Sequence, residues 1–129
     1  MTSAKKILIV DDEAFIRVLL VQAMDDLKYE GVELLTASDG KEAMDMVESH
    51  RPDLIFLDVM MPEMTGYEVC RRVKETYPET YVIMLTAKGQ LLDRETGEAL
   101  GTDEYITKPF DPDYLLKRAT QVLGLEKIA

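Results

Sequence analysis

An α/β domain of five parallel strands, each followed by a helix, is the fold class this sequence predicts. Three observations carry that expectation. Five short apolar runs recur along the chain, none of them alternates apolar with polar residues, and every interval between them has room for one helix. Runs of that kind suit strands covered on both faces, as in a parallel sheet. Parallel neighbours also need a crossover of a dozen residues or more, which those intervals supply.

The first run, residues 7–10, reads ILIV and stops at Asp11. Phe15, Leu19, Leu20, Ala23, Met24 and Leu27 then fall three or four residues apart and make one apolar stripe, a first helix. A connection at 28–32 leads to the second run, ELLTA at 33–37, and Ala43, Met44 and Val47 mark a second helix with Gly40 near its start. The third run, LIFL at 54–57, is the most apolar and so the expected central strand. Val69, Cys70 and Val73 form the stripe of a third helix, begun near Gly66 and ended by Pro78.

The fourth run is YVIML at 81–85. The helix expected after it, over residues 90–100, is the poorest and is expected to be mobile. Gly97 lies inside it and Gly89 and Gly101 flank it, and an interior glycine costs about 0.5 to 1 kcal/mol relative to alanine. EYIT at 104–107 is the weakest run, and Leu115, Leu116, Ala119, Val122 and Leu123 give the fifth helix. Right-handed crossovers would cover the sheet on both faces, making a three-layer (βα)5 sandwich. Without a linker, repeat or low-complexity stretch, residues 1–129 read as one domain with a core of about 5–123. On this reading the chain is expected to end at its fifth helix, with no room for an output domain.

Charge narrows the function. Fifteen Lys and Arg stand against 25 Asp and Glu in 129 residues, a net charge of −10. That argues against direct binding of nucleic acid or an anionic membrane, which need a basic footprint. The single cysteine, Cys70, cannot form an intrachain disulfide and fits a cytoplasmic setting. No apolar run is long enough for a signal peptide or a membrane span.

Ligands of open α/β sheets bind beyond the carboxyl ends of the strands, and here those ends are chemically specific. Asp11 and Asp12 follow the first strand, Asp58 the third, Thr86 the fourth, and Lys108 with Pro109 the fifth. Alone, each has an ordinary reading: Asp-Asp as a helix cap, Lys108 as a surface lysine, Thr86 as a strand-end hydroxyl. Together they converge. Carboxylates about 4 Å apart repel by roughly 4 kcal/mol at an effective dielectric of 20, so three of them need positive charge beyond Lys108. An oxygen-only set suits Mg²⁺, whereas one cysteine and one histidine, Cys70 and His50, offer zinc no cluster. An ionised aspartate beside Mg²⁺ can attack a phosphoryl group, with Lys108 and Thr86 binding the phosphoryl oxygens. Asp58 is the candidate nucleophile because it follows the most apolar run; Asp11 and Asp12 are the candidate metal holders.

The segments ILIVDDE, LIFLDVMMPEMTGYE, VIMLTAK and DEYITKPF resemble the motifs of the response-regulator receiver family of two-component signalling, in register from Lys6 to about Leu123. The resemblance implies a doubly wound, flavodoxin-like fold with strand order 2-1-3-4-5. It implies that Asp58 is the phosphoacceptor, that Asp11 and Asp12 hold Mg²⁺, and that the backbone carbonyl of Met60 completes the metal's protein ligands. It gives Thr86 the role of switch hydroxyl, Lys108 that of the invariant lysine, Tyr105 that of an aromatic that changes rotamer, and Pro109 a preceding cis bond. The side chains of Met60 and Lys88 take variable positions that resemble ones tuning dephosphorylation.

On that resemblance the expected function is a phosphorylation-operated switch and not a turnover enzyme. A histidine kinase or histidine phosphotransfer protein would phosphorylate Asp58. A downstream protein would read the face made by the fourth helix, fifth strand and fifth helix, or an output domain absent from this chain would. The molecule would be a monomer or a phosphorylation-dependent dimer. Three rivals stand beside it. A Mg²⁺-dependent aspartyl-phosphate phosphohydrolase of the haloacid dehalogenase type would want Asp-x-Asp after the first strand. A flavodoxin-like FMN carrier would want a phosphate-cradling loop there instead of Asp-Asp-Glu. The third is a phosphorylation-independent binding module. Of the other residues, Cys70 reads as a buried inert thiol, His50 as a surface residue, and Met60, Met61 and Met64 as packing around Pro62.

Overall fold

Five strands form one all-parallel sheet in the order β2-β1-β3-β4-β5. They are β1 (Lys6–Val10), β2 (Glu33–Ala37), β3 (Leu54–Asp58), β4 (Tyr81–Ala87) and β5 (Glu104–Lys108). The computed structural model describes residues 4–87 and 101–125. The helix expected over residues 90–100, with Leu91 and Leu92, and the position of Lys88 lie outside the described residues.

Helices α1 (Ala14–Met24), α2 (Gly40–His50), α3 (Gly66–Thr76) and a C-terminal helix (Pro112–Val122) flank the sheet. Local chemistry starts three of them. Asp39 accepts from the Glu42 amide at 2.8 Å, Thr65 from the Glu68 amide at 3.3 Å, and Asp111 from the Asp113 amide at 2.9 Å, just before Pro112.

The alternation of the strands divides the core in two. Ile7, Ile9, Leu54, Phe56, Ile83, Leu85 and Ile106 pack on one face with Leu20 and Met24 of α1 and Leu115 and Ala119 of the C-terminal helix. Leu8, Val10, Ile55, Leu57, Val82 and Met84 pack on the other with Ala43 and Val47 of α2 and Val69, Cys70 and Val73 of α3. β3 is buried from end to end, as expected of the central strand.

Three expectations need correction. Phe15 is 74% exposed and lies outside the core: in the first turn of α1 it is the next residue, Ile16, that packs against the core. The first helix stops at Met24, and Leu27 is buried instead from a 3-10 helix, Asp25–Glu30, that ends on Gly31 at φ +82°. His50 is half-buried, and its carbonyl accepts from the Lys6 ammonium at 3.1 Å. Cys70 is fully buried as expected; burial pushes its thiol pKa up, and Sγ lies 3.3 Å from Thr102 Oγ1.

Candidate functional site

The carboxyl ends of β1, β3 and β5 bring Asp11, Asp12, Asp58 and Lys108 together. One carboxylate oxygen from each aspartate lies within 4.8 Å of the others. Asp58 is the last residue of β3, and in the register of the sheet it neighbours Leu85 of β4. Lys108 is the last residue of β5, and its ammonium reaches back over the sheet end to Asp58 Oδ1 at 3.0 Å and Asp11 Oδ2 at 3.3 Å. Strand alternation explains the convergence, because Asp58 continues the face of Leu54 and Phe56 while Lys108 continues that of Ile106.

The two acidic residues after β1 differ. Asp11 is fully buried, with its amide on the Ala37 carbonyl at 3.2 Å, Oδ1 accepting from the Glu13 amide at 2.9 Å and Oδ2 facing Lys108. Asp12 is exposed at the rim of the cluster. Asp58 is only 5% exposed. Burial, opposed by the Lys108 bond and reinforced by Asp11 and Asp12, lifts its pKa from 3.8 to about 6. Burial works to lower the Lys108 pKa, but the bonds and charges of Asp58 and Asp11 carry it upward. The pocket thus holds three carboxyl groups against one ammonium, and a second positive charge would relieve the strain on Asp58.

Thr86 lies one residue beyond the strand neighbour of Asp58 and is fully buried. Its Oγ1 has no hydrogen-bond partner among the described residues. A buried hydroxyl left unpaired costs about 1 to 3 kcal/mol, which makes Thr86 Oγ1 a notable polar atom of the pocket's surroundings. Tyr105 is half-buried and packs on the core beneath α2 and α3. Thr86 pairs with Thr107 and Met84 with Tyr105, so strand alternation sets Thr86 and Tyr105 on one face of adjacent strands. Met60, expected to pack, has a side chain that is 61% exposed; Met61 is buried and Met64 covers Gly40. The Lys108–Pro109 bond is cis, as the resemblance implied.

Two residues that shape the pocket escaped the sequence reading. Gly66 was visible only as a helix start, yet a Cβ there would lie 2.2 Å from the Asp58 carbonyl oxygen, and the Gly66 amide holds the Val59 carbonyl at 2.8 Å. Arg17, unremarked between apolar residues of α1, donates from Nη1 to the Asp11 carbonyl at 2.8 Å. Beside Lys108, Phe15, Ile16, Leu19, Pro109 and Phe110 line an open apolar groove of about 410 Å³.

An acidic cluster that offers only oxygen ligands fits a hard divalent cation such as Mg²⁺. Comparison with known proteins points the same way. The family model for the response regulator receiver domain matches residues 7–120. The alkaline phosphatase synthesis transcriptional regulatory protein PhoP of Bacillus subtilis (strain 168) is 43% identical over 125 residues, 97% of this chain and 51% of PhoP. The probable transcriptional regulator ycf27 of Porphyra purpurea is 44% identical over 119 residues, 92% of this chain and 47% of that protein. The chain spans about half the length of the curated relatives it matches. Among solved structures, chemotaxis protein CheY4 of Vibrio cholerae superposes with a TM-score of 0.82 at 36% identity, over 93% of this chain and 99% of that one. The BeF3-activated DrrB receiver domain superposes with a TM-score of 0.84 at 34% identity, over 95% and 99%.

Proposed function

The chain belongs to the response-regulator receiver family of two-component signalling, and from that premise we propose that it is a switch operated by phosphorylation of Asp58. The observation that carries this reading is the buried pocket itself, in which Asp58 touches one ammonium and faces two further carboxylates.

In the proposed reaction a phosphohistidine of a histidine kinase or histidine phosphotransfer protein is the donor. A carboxylate oxygen of Asp58 attacks phosphorus as the phosphorus–nitrogen bond breaks, and the departing imidazole keeps the electron pair and takes up a proton. Asp58 must be ionised to attack, and the Lys108 contact at 3.0 Å opposes the burial that favours its protonated form. Asp11 and Asp12, with Asp58 and the Met60 carbonyl, would hold Mg²⁺, which when bound supplies the positive charge that neutralises phosphoryl oxygens. Lys108 is then free to pair with a phosphoryl oxygen, and Thr86 Oγ1 donates to another, ending its isolation. Water later hydrolyses the acyl phosphate, so the protein turns over nothing but its own modification.

The output follows from the position of Thr86. Drawing its hydroxyl toward Asp58 opens space on the face it shares with Tyr105, and the Tyr105 ring follows. The changed surface, made by β5 and the C-terminal helix, would be read by a downstream partner protein or an attached output domain in the cytoplasm. The chain would act as a monomer or as a phosphorylation-dependent dimer. Amide spectra recorded with Mg²⁺ and beryllofluoride, a phosphoryl mimic, test this: shifts at Thr86 and Tyr105 are expected. A spectrum perturbed only at Asp11, Asp12 and Asp58 would overturn the switch.

A further inference from the structure

We infer that Arg17 is a positioning residue for the cation pocket: it holds the peptide that carries Asp12. The inference rests on the reading of the acidic cluster as a Mg²⁺ site. Asp12 is the exposed member of that cluster and stands in the turn between β1 and α1, where no strand neighbour fixes it. Its direction is set by the peptide plane joining Asp11 to Asp12, and Arg17 Nη1 holds the oxygen of that plane at 2.8 Å.

A second observation makes the tie necessary. Among the described α-helices, α1 alone has an N-cap residue, Glu13, whose side chain makes no cap bond, and it alone has no acidic residue in its first turn. The turn is therefore fixed to the helix by two groups, the Glu13 amide on Asp11 Oδ1 and the Arg17 guanidinium on the Asp11 carbonyl. Arg17 also borders an open crevice with Ala14, Val18, Val21, Gln22 and Thr36. A cation bound at Asp12 thus meets a carboxylate already aimed, and without Arg17 binding must first order the turn.

The test is a Mg²⁺ titration of the full chain, followed by amide shifts, for the parent, Arg17→Met and Arg17→Lys, with urea unfolding in EDTA alongside. Removing a group that orients a metal ligand weakens affinity about 10- to 100-fold, so Arg17→Met is expected to raise the Mg²⁺ Kd about tenfold. Arg17→Lys, which keeps a donor and the charge but not the fork, should fall between. A purely structural arginine would lower the EDTA stability of Arg17→Met and leave the Kd of its folded fraction unchanged, and that result overturns the inference. A tighter Kd in Arg17→Met also overturns it, since Arg17 would then act by repelling the cation. Should Arg17→Met not fold, the Arg17→Lys comparison decides alone, with an unchanged Kd counting against the inference. A parent that binds no Mg²⁺ overturns the reading of the pocket itself, an outcome seen before any variant is compared.

Discussion

Replacing Asp58 with asparagine should stabilise the unphosphorylated fold at neutral pH, and the gain should depend on pH in a defined way. Asp58 has a pKa of about 6 in the fold against an ordinary 3.8. The folded chain therefore holds this proton more tightly than the unfolded chain does. The carboxyl's contribution to stability is complete below pH 3.8 and is lost as pH rises through about 6. One pKa unit corresponds to 1.36 kcal/mol, so the loss is about 3 kcal/mol. Asparagine has the same shape and does not ionise, so its stability relative to the parent should climb by about 3 kcal/mol between pH 3.5 and 7 and then level. Urea unfolding of both proteins in EDTA, from pH 3.5 to 8, measures that difference, and the titrations of other groups largely cancel in it. Saturating Mg²⁺ should shrink the gain at pH 7, because the cation stabilises the ionised parent. A stability difference independent of pH, or one that falls as pH rises, would refute the electrostatic account of the pocket.

Three further outcomes are expected. Gly66→Ala should destabilise by about 1 to 3 kcal/mol or more in urea unfolding and disturb the amides of Asp58 and Val59, because the new Cβ would meet the Asp58 carbonyl oxygen. Arg118→Ala should cost about 1 to 2 kcal/mol in the same assay, since Arg118 grips Glu104 with bonds of 2.7 and 2.9 Å and reaches Tyr81 as well, tying the C-terminal helix to β4 and β5. Phe15→Ser should change stability by less than about 0.5 kcal/mol, as befits a side chain 74% exposed, whereas an inward-facing phenylalanine would cost several times more.

The strands were legible because a parallel sheet buries its inner strands on both faces, which turns ILIV and LIFL into unbroken apolar runs with acidic residues at their ends. The same property located the pocket, since Asp11, Asp12, Asp58 and Lys108 all fall where such runs stop. Periodicity served α1 less well. It counts any apolar residue three or four places from the last as facing inward, and it has no knowledge of where the sheet ends, so Phe15 was assigned to a core that does not extend beneath it. What depends on three-dimensional closure was illegible. The Arg17 bond joins residues six apart through a turn whose shape the sequence does not state, and the Arg118 network joins β4, β5 and the last helix. The fit of Gly66 beneath the Asp58 backbone likewise appears only when β3 and α3 are both in place.

The most direct test of the account is the intact mass of the protein after incubation with Mg²⁺ and acetyl phosphate, beside Asp58→Ala treated in the same way. The account predicts a single phosphoryl adduct that requires Mg²⁺ and is absent from the variant. An adduct of equal yield on Asp58→Ala, or no adduct on the parent even when hydrolysis is quenched by acid within seconds, would contradict it.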